Sequence, residues 1–189
     1  MEFDFSAGTP DLDRQTLLGS LPDPPEEEIS SGKLQIPIGE PLPEFELFTD
    51  GGCSPNPGPG AWAYILQPPA AGPEAAFEHA GAVRSSTNNR MELMAVIRGL
   101  LSLDRPCRVR LVSDSEYVVK GLNEWIVGWK RRGWVNSRKK PVLNKELWQA
   151  LDALRHHHTL IPEWTRGHAG HPENERCDVL VGLVRDQLV

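Results

Sequence analysis

Three short apolar runs separated by glycine- and proline-rich breaks constrain the fold more than any other feature. Residues 45–50 (FELFTD) are typical of a strand, and residues 51–60 (GGCSPNPGPG) end it in a turn-rich loop. Residues 61–66 supply a second strand, and residues 76–85 offer a third after another proline and glycine break. Because consecutive strands with short connections pair with one another, this region predicts an antiparallel meander.

A helical periodicity follows the third strand. Residues 87–89 (TNN) can cap a helix in which apolar residues recur from Leu93 to Leu100 with the spacing i, i+3, i+4, i+7. Glu92 is expected in the first turn of this helix, away from the apolar face. A meander followed by a helix indicates a chain that contains both a sheet and helices.

The rest of the chain alternates between strand and helix patterns. The expected elements are a strand at 109–112, a helix starting at 115–122, a helix capped by Asn144, a strand at 159–165 and a helix opened by Pro172. Pro162 favours an edge position for its strand, because proline has no N–H for a sheet ladder. The fold class is therefore α/β.

Residues 1–42 differ in composition from the remainder, which we take as one domain at 43–189. The segment is acidic and rich in proline, and it is expected to be a disordered extension. Within it, residues 11–21 could form a short amphipathic helix. A segment that binds an unknown partner, or that inhibits the protein itself, is the alternative.

The charge is unevenly distributed. Residues 1–40 hold nine acidic and two basic residues, a net charge of −7, which leaves 17 acidic and 18 basic residues of the chain's 26 and 20. Residues 129–140 (WKRRGWVNSRKK) contain six bases and no acid. Such a patch neutralises phosphates, so the overall charge of −6 does not exclude a nucleic-acid partner.

The sequence gives no indication of a membrane or an export route. No apolar run approaches the roughly 20 residues of a bilayer span, and residues 1–19 lack the basic and apolar regions of a signal peptide. Cys53, Cys107 and Cys177 are widely spaced and are expected to be reduced thiols. We therefore expect a cytoplasmic protein with no membrane contact.

Four acidic residues stand where a sheet and its helices would expose them. Asp50 and Asp114 end two strands, and Glu92 and Asp178 are expected in the first turns of two helices. Carboxylates converge only if cations offset their repulsion, and a hard, oxygen-liganded ion such as Mg²⁺ suits such a set. Taken singly, each acid is more typical of a helix cap or a surface charge than of a metal ligand.

The residues around these acids are more specific. They are TDGGC at 49–53 with NPGPG at 56–60, TNNRMEL at 87–93, SDS at 113–115 with Tyr117, and GHAGHPENERCD at 167–178. In this order and spacing, the four blocks resemble type 1 ribonuclease H over residues 45–178.

The resemblance implies a ribonuclease H-like fold, with a five-stranded mixed sheet flanked by helices. It implies an endonuclease that hydrolyses the RNA strand of RNA/DNA hybrids by two-metal-ion catalysis with Mg²⁺, or with Mn²⁺ as its substitute, leaving 5′-phosphate and 3′-hydroxyl ends. The implied metal ligands are Asp50, Glu92, Asp114 and Asp178. His168 is implied as a mobile group that assists proton transfer or product release, and we expect a monomer.

The resemblance also implies substrate contacts. They are Cys53, Asn56, Thr87, Asn88, Asn89, Glu116, Trp125, Lys130, Arg131 and Arg132. The loop with Cys53 and Asn56 would contact the RNA backbone, and Asn88 would reach the minor groove, where the 2′-hydroxyls lie. Thr87 and Asn89 would help to hold the DNA strand. For Trp129 and Trp134, core packing and substrate binding remain open. Glu116 departs from the family pattern, in which glutamine is common, as do Ser85 and Gly128.

Two other functions remain compatible with the sequence. A related nuclease of the same fold, such as a resolvase or integrase core, would share the acidic cluster. A non-catalytic module that binds RNA/DNA hybrids would share the binding residues. The presence of all four acids and of His168 favours the enzyme.

Overall fold

A computed structural model describes residues 15, 17, 21–22, 24–39, 41–167 and 171–188, and its centre is a six-stranded mixed sheet. The strand order is β1-β4-β3-β2-β5-β6. The strands are β1 (Glu27–Ser31), β2 (Glu44–Cys53), β3 (Gly58–Gln67), β4 (Phe77–Ser86), β5 (Arg108–Ser113) and β6 (Thr159–Trp164). The prediction of an α/β fold with a mixed sheet is confirmed.

The pairing of β2 determines the geometry of the site. It is antiparallel to β3, which is antiparallel to β4, so the predicted meander is confirmed. On its other side β2 runs parallel to β5, with Thr49 opposite Ser113. Parallel neighbours end at the same edge of a sheet, so the residues after Thr49 and Ser113 emerge side by side. The last strand, β6, lies at the sheet edge that Pro162 predicts.

Helices cover both faces of the sheet. They are α1 (Asn88–Ser102), α2 (Glu116–Lys120), α3 (Ile126–Arg131), α4 (Lys145–His157) and α5 (Pro172–Arg185), with a π-helical turn at Gly121–Trp125 and 3₁₀ turns at Pro73–Ala75 and Asp186–Leu188. Alternate residues of one strand point to opposite faces, so Leu47 packs with α1 and α4 while Phe48 packs with α5. Helix-covered faces are the usual arrangement for parallel strands.

The start of α1 depends on a residue distant in sequence. Thr87 occupies the N-cap position, but its side chain makes no capping hydrogen bond. The N–H of Asn88 instead donates to Oδ1 of Asn56, in the β2–β3 loop, at 3.2 Å. Similarly, Asn144 precedes α4 in the left-handed conformation without a side-chain cap. The predicted helix starts are correct, while the predicted capping by these side chains is not.

The sixth strand was not expected from the sequence. Glu27–Ser31 lies within the segment 1–42, for which the composition predicts disorder, yet it pairs with β4. The carboxylate of Glu26 pairs with Arg84 at 2.7 Å, and Ile29 packs against the core on the α5 face. The backbone groups of β4 supply the partners that the composition of this segment does not reveal. Most of the helix predicted at 11–21 lies outside the described residues, although Leu21 is buried.

Candidate active site

Asp50 and Asp114 occupy neighbouring positions on the two central strands. Asp50 lies in β2 opposite Ala63 of β3, and Asp114 directly follows β5. Asp50 does not end its strand as predicted, because β2 continues to Cys53 along β3 after β5 has ended. The two carboxylates therefore emerge beside each other where the parallel pairing stops.

Glu92 joins them from α1. It lies in the second turn of the helix, not in the predicted first turn, because α1 begins at Asn88. The strand and the helix approach closely at Gly51, where an added Cβ would overlap the Met91–Glu92 peptide. Only glycine permits this approach, so Gly51 allows the carboxylates of Asp50 and Glu92 to come together.

These three acids form a compact cluster. Asp50, Glu92 and Asp114 each offer a carboxylate oxygen, and the three oxygens lie within 4.8 Å of one another. Oε2 of Glu92 is buried, and among the described residues it has no hydrogen-bond partner. Burial, and then the charges of Asp50 and Asp114, raise the pKa of Glu92 well above its ordinary value.

The cluster fits a divalent cation. An unpartnered buried carboxylate oxygen beside two further carboxylates is costly without a counter-charge, and a cation would remove that cost. Oxygen-only donors are the set that Mg²⁺, Mn²⁺ and Ca²⁺ prefer. The donor chemistry therefore supports the predicted metal ligands Asp50, Glu92 and Asp114.

Asp178 approaches the cluster from α5. It lines a cleft of about 80 Å³ together with Asp50 and Asp114. It lies in the second turn of α5, not the first, and its side chain is exposed, so it does not belong to the compact group of three. Asp178 is the outermost of the four acids, at the solvent side of the cleft.

Two residues that the sequence reasoning missed line the same cleft, namely Asn174 and Glu175. Asn174 is buried, and its Oδ1 has no hydrogen-bond partner within the described part of the chain. Both residues stand one helical turn before Asp178, at i−4 and i−3. This spacing places them on the same helix face as Asp178, so the helix predicted to begin at Pro172 was enough to indicate both residues as neighbours of Asp178.

The loop after β6 passes beside Asp114. The indole N–H of Trp164 donates to the backbone oxygen of Asp114 at 3.1 Å, and an added Cβ on Gly167 would meet Oδ2 of Asp114 at 2.6 Å. Gly167 therefore brings the chain close to this carboxylate. His168 lies outside the described residues, so its predicted role stays a prediction.

Five predicted substrate contacts, three expected at the RNA backbone or the minor groove and two at the DNA strand, form a linked group at the end of β2. The N–H of Cys53 donates to Oδ1 of Asn88 at 2.7 Å, and the N–H of Asn88 donates to Oδ1 of Asn56 at 3.2 Å. Asn56 and Asn88 are exposed, whereas Thr87 and Asn89 are half-buried beside them. The structure thus brings these five predicted residues together, next to Asp50 and Glu92.

The remaining predicted contacts lie on and around α3. Trp125 is half-buried and packs on Trp129 and Tyr117, with ring centroids 5.6 and 6.2 Å apart. Trp129 and Trp134 pack against the core, which supports their structural role. Glu116 is exposed and pairs with Lys120 at 2.6 Å. The basic side chains of Lys130, Arg131 and Arg132 are exposed, and Lys130 pairs with Asp152 at 2.7 Å.

The fold and the cluster define an α/β protein with a carboxylate centre suited to a divalent cation. The chain belongs to the ribonuclease H family, whose model, RNase H, matches residues 43–185. The ribonuclease H of Halorhodospira halophila is 54% identical over 144 residues, which are 76% of this chain and 94% of that protein.

Solved structures agree with this assignment. The crystal structure of LC9-RNase H1, a type 1 RNase H with the type 2 active-site motif, is similar with a TM-score of 0.68 and 26% identity, covering 80% of this chain and 76% of that one. LC11-RNase H1 in complex with RNA/DNA hybrid has a TM-score of 0.57 and 21% identity, covering 76% of this chain and 98% of that one. At that identity the second structure supports the fold alone.

Proposed function

We propose that this ribonuclease H hydrolyses the RNA strand of RNA/DNA hybrids as an endonuclease, leaving 5′-phosphate and 3′-hydroxyl ends. The observation that carries the proposal is the cluster of Asp50, Glu92 and Asp114 at the edge of the central parallel strands, inside a chain of this family. Three carboxylates without a cation among them bind phosphate poorly, because like charges repel. The cluster is therefore a metal centre that a phosphodiester approaches.

The proposed cofactor is Mg²⁺, with two ions in the active site and Mn²⁺ as a substitute. Asp50, Glu92 and Asp114 would hold the metal, and Asp178 would complete the ligand set from the outer side of the cleft. When bound, such ions supply an activated water and stabilise the charge on the leaving oxygen. The protein contributes the fixed positions of the carboxylates, set by the β2–β5 pairing and by the close approach of α1 at Gly51.

Strand discrimination is assigned to the linked group beside the metal centre. The amide oxygens of Asn56 and Asn88 accept hydrogen bonds from backbone N–H groups, so their NH₂ groups remain to donate to the substrate. Donors suit both the 2′-hydroxyl oxygens of RNA and the acceptors of the minor groove. We assign Cys53 to the RNA backbone, Thr87 and Asn89 to the DNA strand, and Glu116 to the base edges.

The DNA strand is assigned to the basic side of α3. The half-buried indole of Trp125 would pack on a sugar, while Lys130, Arg131 and Arg132 would provide positive charge for phosphates. His168 is proposed to assist proton transfer or product release, since histidine changes its charge near neutral pH.

A cleavage assay with three substrates tests the function. The purified protein is incubated with labelled RNA/DNA hybrid, DNA duplex and single-stranded RNA, each with Mg²⁺ or with EDTA. We expect cleavage of the RNA in the hybrid alone, and only with the metal. Equal cleavage of all three substrates would favour a related nuclease of the same fold. Binding of hybrid without any cleavage would favour a non-catalytic module, and cleavage in EDTA would contradict the metal centre.

The remaining assignments follow from composition and fold. We propose a monomer with a catalytic domain at 43–189 and an acidic extension at 1–42 that serves an unknown partner or modulates hybrid binding. We also propose a cytoplasmic location, because Cys53, Cys107 and Cys177 are free thiols. No helix in the described part of the chain is long and apolar enough to cross a membrane.

A further inference from the structure

A buried carboxylate on α4 holds three basic side chains. The side chain of Asp152 is 10% exposed, and its Oδ2 lies 2.7 Å from Nζ of Lys130 on α3. Its Oδ1 lies 3.6 Å from Nε of Arg155 and 3.7 Å from Nδ1 of His156, both on α4 itself. Because the carboxylate is buried and pairs with one cation from each helix, Lys130 and Arg155, it connects the two helices.

Further contacts join α4 to the turn that precedes α3 and to α3 itself. Nη1 of Arg155 donates to the backbone oxygen of Leu122 at 3.3 Å, in the π-helical turn that leads into α3. From the other direction, Trp129 of α3 packs on Trp148 of α4 with ring centroids 5.2 Å apart. Helix α3 is only six residues long, so these contacts determine its orientation more than its own hydrogen bonds do.

The three predicted phosphate contacts on this helix are not equivalent. The ammonium group of Lys130 is engaged by Asp152. Arg131 and Arg132 are exposed, and no carboxylate of a described residue lies within ion-pair distance of either guanidinium. Nε of Arg132 donates to a backbone oxygen, that of Val135, at 3.4 Å. The two arginines therefore keep their charge available, whereas Lys130 does not.

We propose that Asp152 is a positioning residue for hybrid binding. Its carboxylate fixes Lys130 and Arg155, and thereby orients Arg131 and Arg132 towards the phosphates of the DNA strand. This replaces the phosphate contact that the proposed function assigns to Lys130: its ammonium group, paired with Asp152, acts as a strut between α3 and α4. The inference rests on the proposed function, because it specifies how that function's basic surface is held.

The experiment distinguishes an effect of net charge on hybrid affinity from an effect of side-chain positioning. Hybrid affinity is measured by fluorescence anisotropy over a series of salt concentrations, with the full chain carrying Asp50→Asn, so that binding is separated from cleavage. Into this parent are introduced Asp152→Asn, Lys130→Gln and Arg132→Gln. Asp104→Asn is the matched control, because Asp104 is also paired with an arginine, Arg105, but is exposed and precedes β5.

Charge alone and positioning predict opposite results. Removing a carboxylate makes the protein less acidic, so charge alone predicts tighter binding for both aspartate variants. We expect Asp104→Asn to bind the hybrid as the parent does or slightly more tightly, and Asp152→Asn to bind about fivefold more weakly. In the catalytically active chain, Asp152→Asn should raise KM by a similar factor and leave kcat within about twofold.

The salt dependence identifies the phosphate contacts. Arg132→Gln should lower the slope of log K against log salt by about 0.9, the value for one lost phosphate contact. Lys130→Gln should weaken binding as Asp152→Asn does, leave the slope unchanged, and add nothing in the double variant. Lys130 is half-exposed, so its variant keeps the test decisive if Asp152→Asn does not fold.

Two results would overturn the inference alone, namely Asp152→Asn binding as tightly as the control, or Lys130→Gln lowering the slope as much as Arg132→Gln. A parent that does not bind hybrid would overturn the proposed function as well. The two failures are therefore distinguishable.

Discussion

Glu92 and Asp152 are both carboxylates set into the protein, but their surroundings have opposite charge. Asp152 is surrounded by Lys130, Arg155 and His156. Glu92 is surrounded by Asp50 and Asp114, which together with burial raise its pKa. A carboxylate that the fold itself neutralises stabilises the structure. A carboxylate that the fold leaves among other acids is suited to a cation from solution.

This difference separates the two polar regions by function. At the α3–α4 junction, removing the acid leaves the exposed Lys130 and the partly buried Arg155 without their carboxylate, so the fold is weakened. At the metal centre, removing the charge of one acid relieves repulsion, so the fold is not weakened while the chemistry is lost. Activity and stability are therefore expected to respond in opposite ways at the two sites.

The largest expected effect is the loss of activity in Glu92→Gln. The amide keeps the size of the side chain but removes a charged ligand, so we expect cleavage of the hybrid to fall by about 10³-fold or more, equivalent to about 4 kcal/mol of barrier. Cleavage rates under single-turnover conditions measure this. Activity within about tenfold of the wild type would contradict the assignment of Glu92 as a ligand.

The same variant has a pH signature. The pKa of Glu92 is raised in the metal-free folded state, so this state binds more protons than the unfolded state. As the pH rises from 4.5 through the raised pKa, the contribution of Glu92 to stability is therefore lost. In Glu92→Gln that loss is absent. The excess stability of the variant over the wild type, from urea unfolding in EDTA, should therefore grow with pH. A constant difference would contradict the burial of this carboxylate among acids.

The next effect separates two adjacent glycines. In Gly51→Ala the new methyl group would overlap the Met91–Glu92 peptide, so β2 and α1 must move apart and separate Asp50 from Glu92. We expect activity to fall by about 10²-fold, as a displacement of about 1 Å in an active site can cause. Gly52→Ala is the control, because an added Cβ there meets nothing within 4 Å. Equal effects of the two substitutions on kcat would show that close approach is not the reason for glycine at 51.

At the α3–α4 junction the expected effect is on stability. Asp152→Ala leaves Lys130 and Arg155 without their carboxylate, and because the Lys130 side chain is 53% exposed, we expect the loss of this partly buried pair to cost about 2 kcal/mol. The free energy of unfolding from urea titration measures this change, with Asp104→Ala as the exposed counterpart, for which we expect less than about 1 kcal/mol. Should Asp152→Ala be no less stable than Asp104→Ala, the contrast between the two carboxylates would be lost.

Much of the acidic cluster could be predicted from the sequence, whereas little of the α3–α4 junction could be. Asp50, Glu92 and Asp114 stand beside glycines, asparagines and serines in recognisable blocks, and strand and helix periodicity placed each near its element. The convergence of three oxygens required the register of β2 with β5 and the approach at Gly51. These are tertiary features, and periodicity does not report them.

Apart from Asn174 and Glu175, the features that were not predicted depend on non-local partners. The strand Glu27–Ser31 has no alternating pattern of its own and is stabilised by the edge of β4. The N-terminus of α1 is satisfied by Asn56 and not by the residues next to it. In the sequence, Asp152 is an ordinary charged residue of an amphipathic helix. Its role depends on the packing of α3, which brings Lys130 to its carboxylate. Local sequence therefore predicted the elements, while the contacts between elements determined the roles of single side chains.

The smallest expected effect tests whether the counter-charge at Glu92 comes from a metal. A ligand that binds only the folded state stabilises it by RT ln(1 + [L]/Kd), which is about 1.4 kcal/mol at ten times Kd. Mg²⁺ should therefore raise the Tm of the wild type by a few degrees relative to EDTA, and Ca²⁺ should give a shift of the same sign. Glu92→Gln should show little of this shift. Asp152→Asn should keep the shift in full, because Asp152 pairs with basic side chains of the protein and is not part of the cluster. A Mg²⁺ shift that is equal in both variants would place the bound ion elsewhere than at the cluster of Asp50, Glu92 and Asp114.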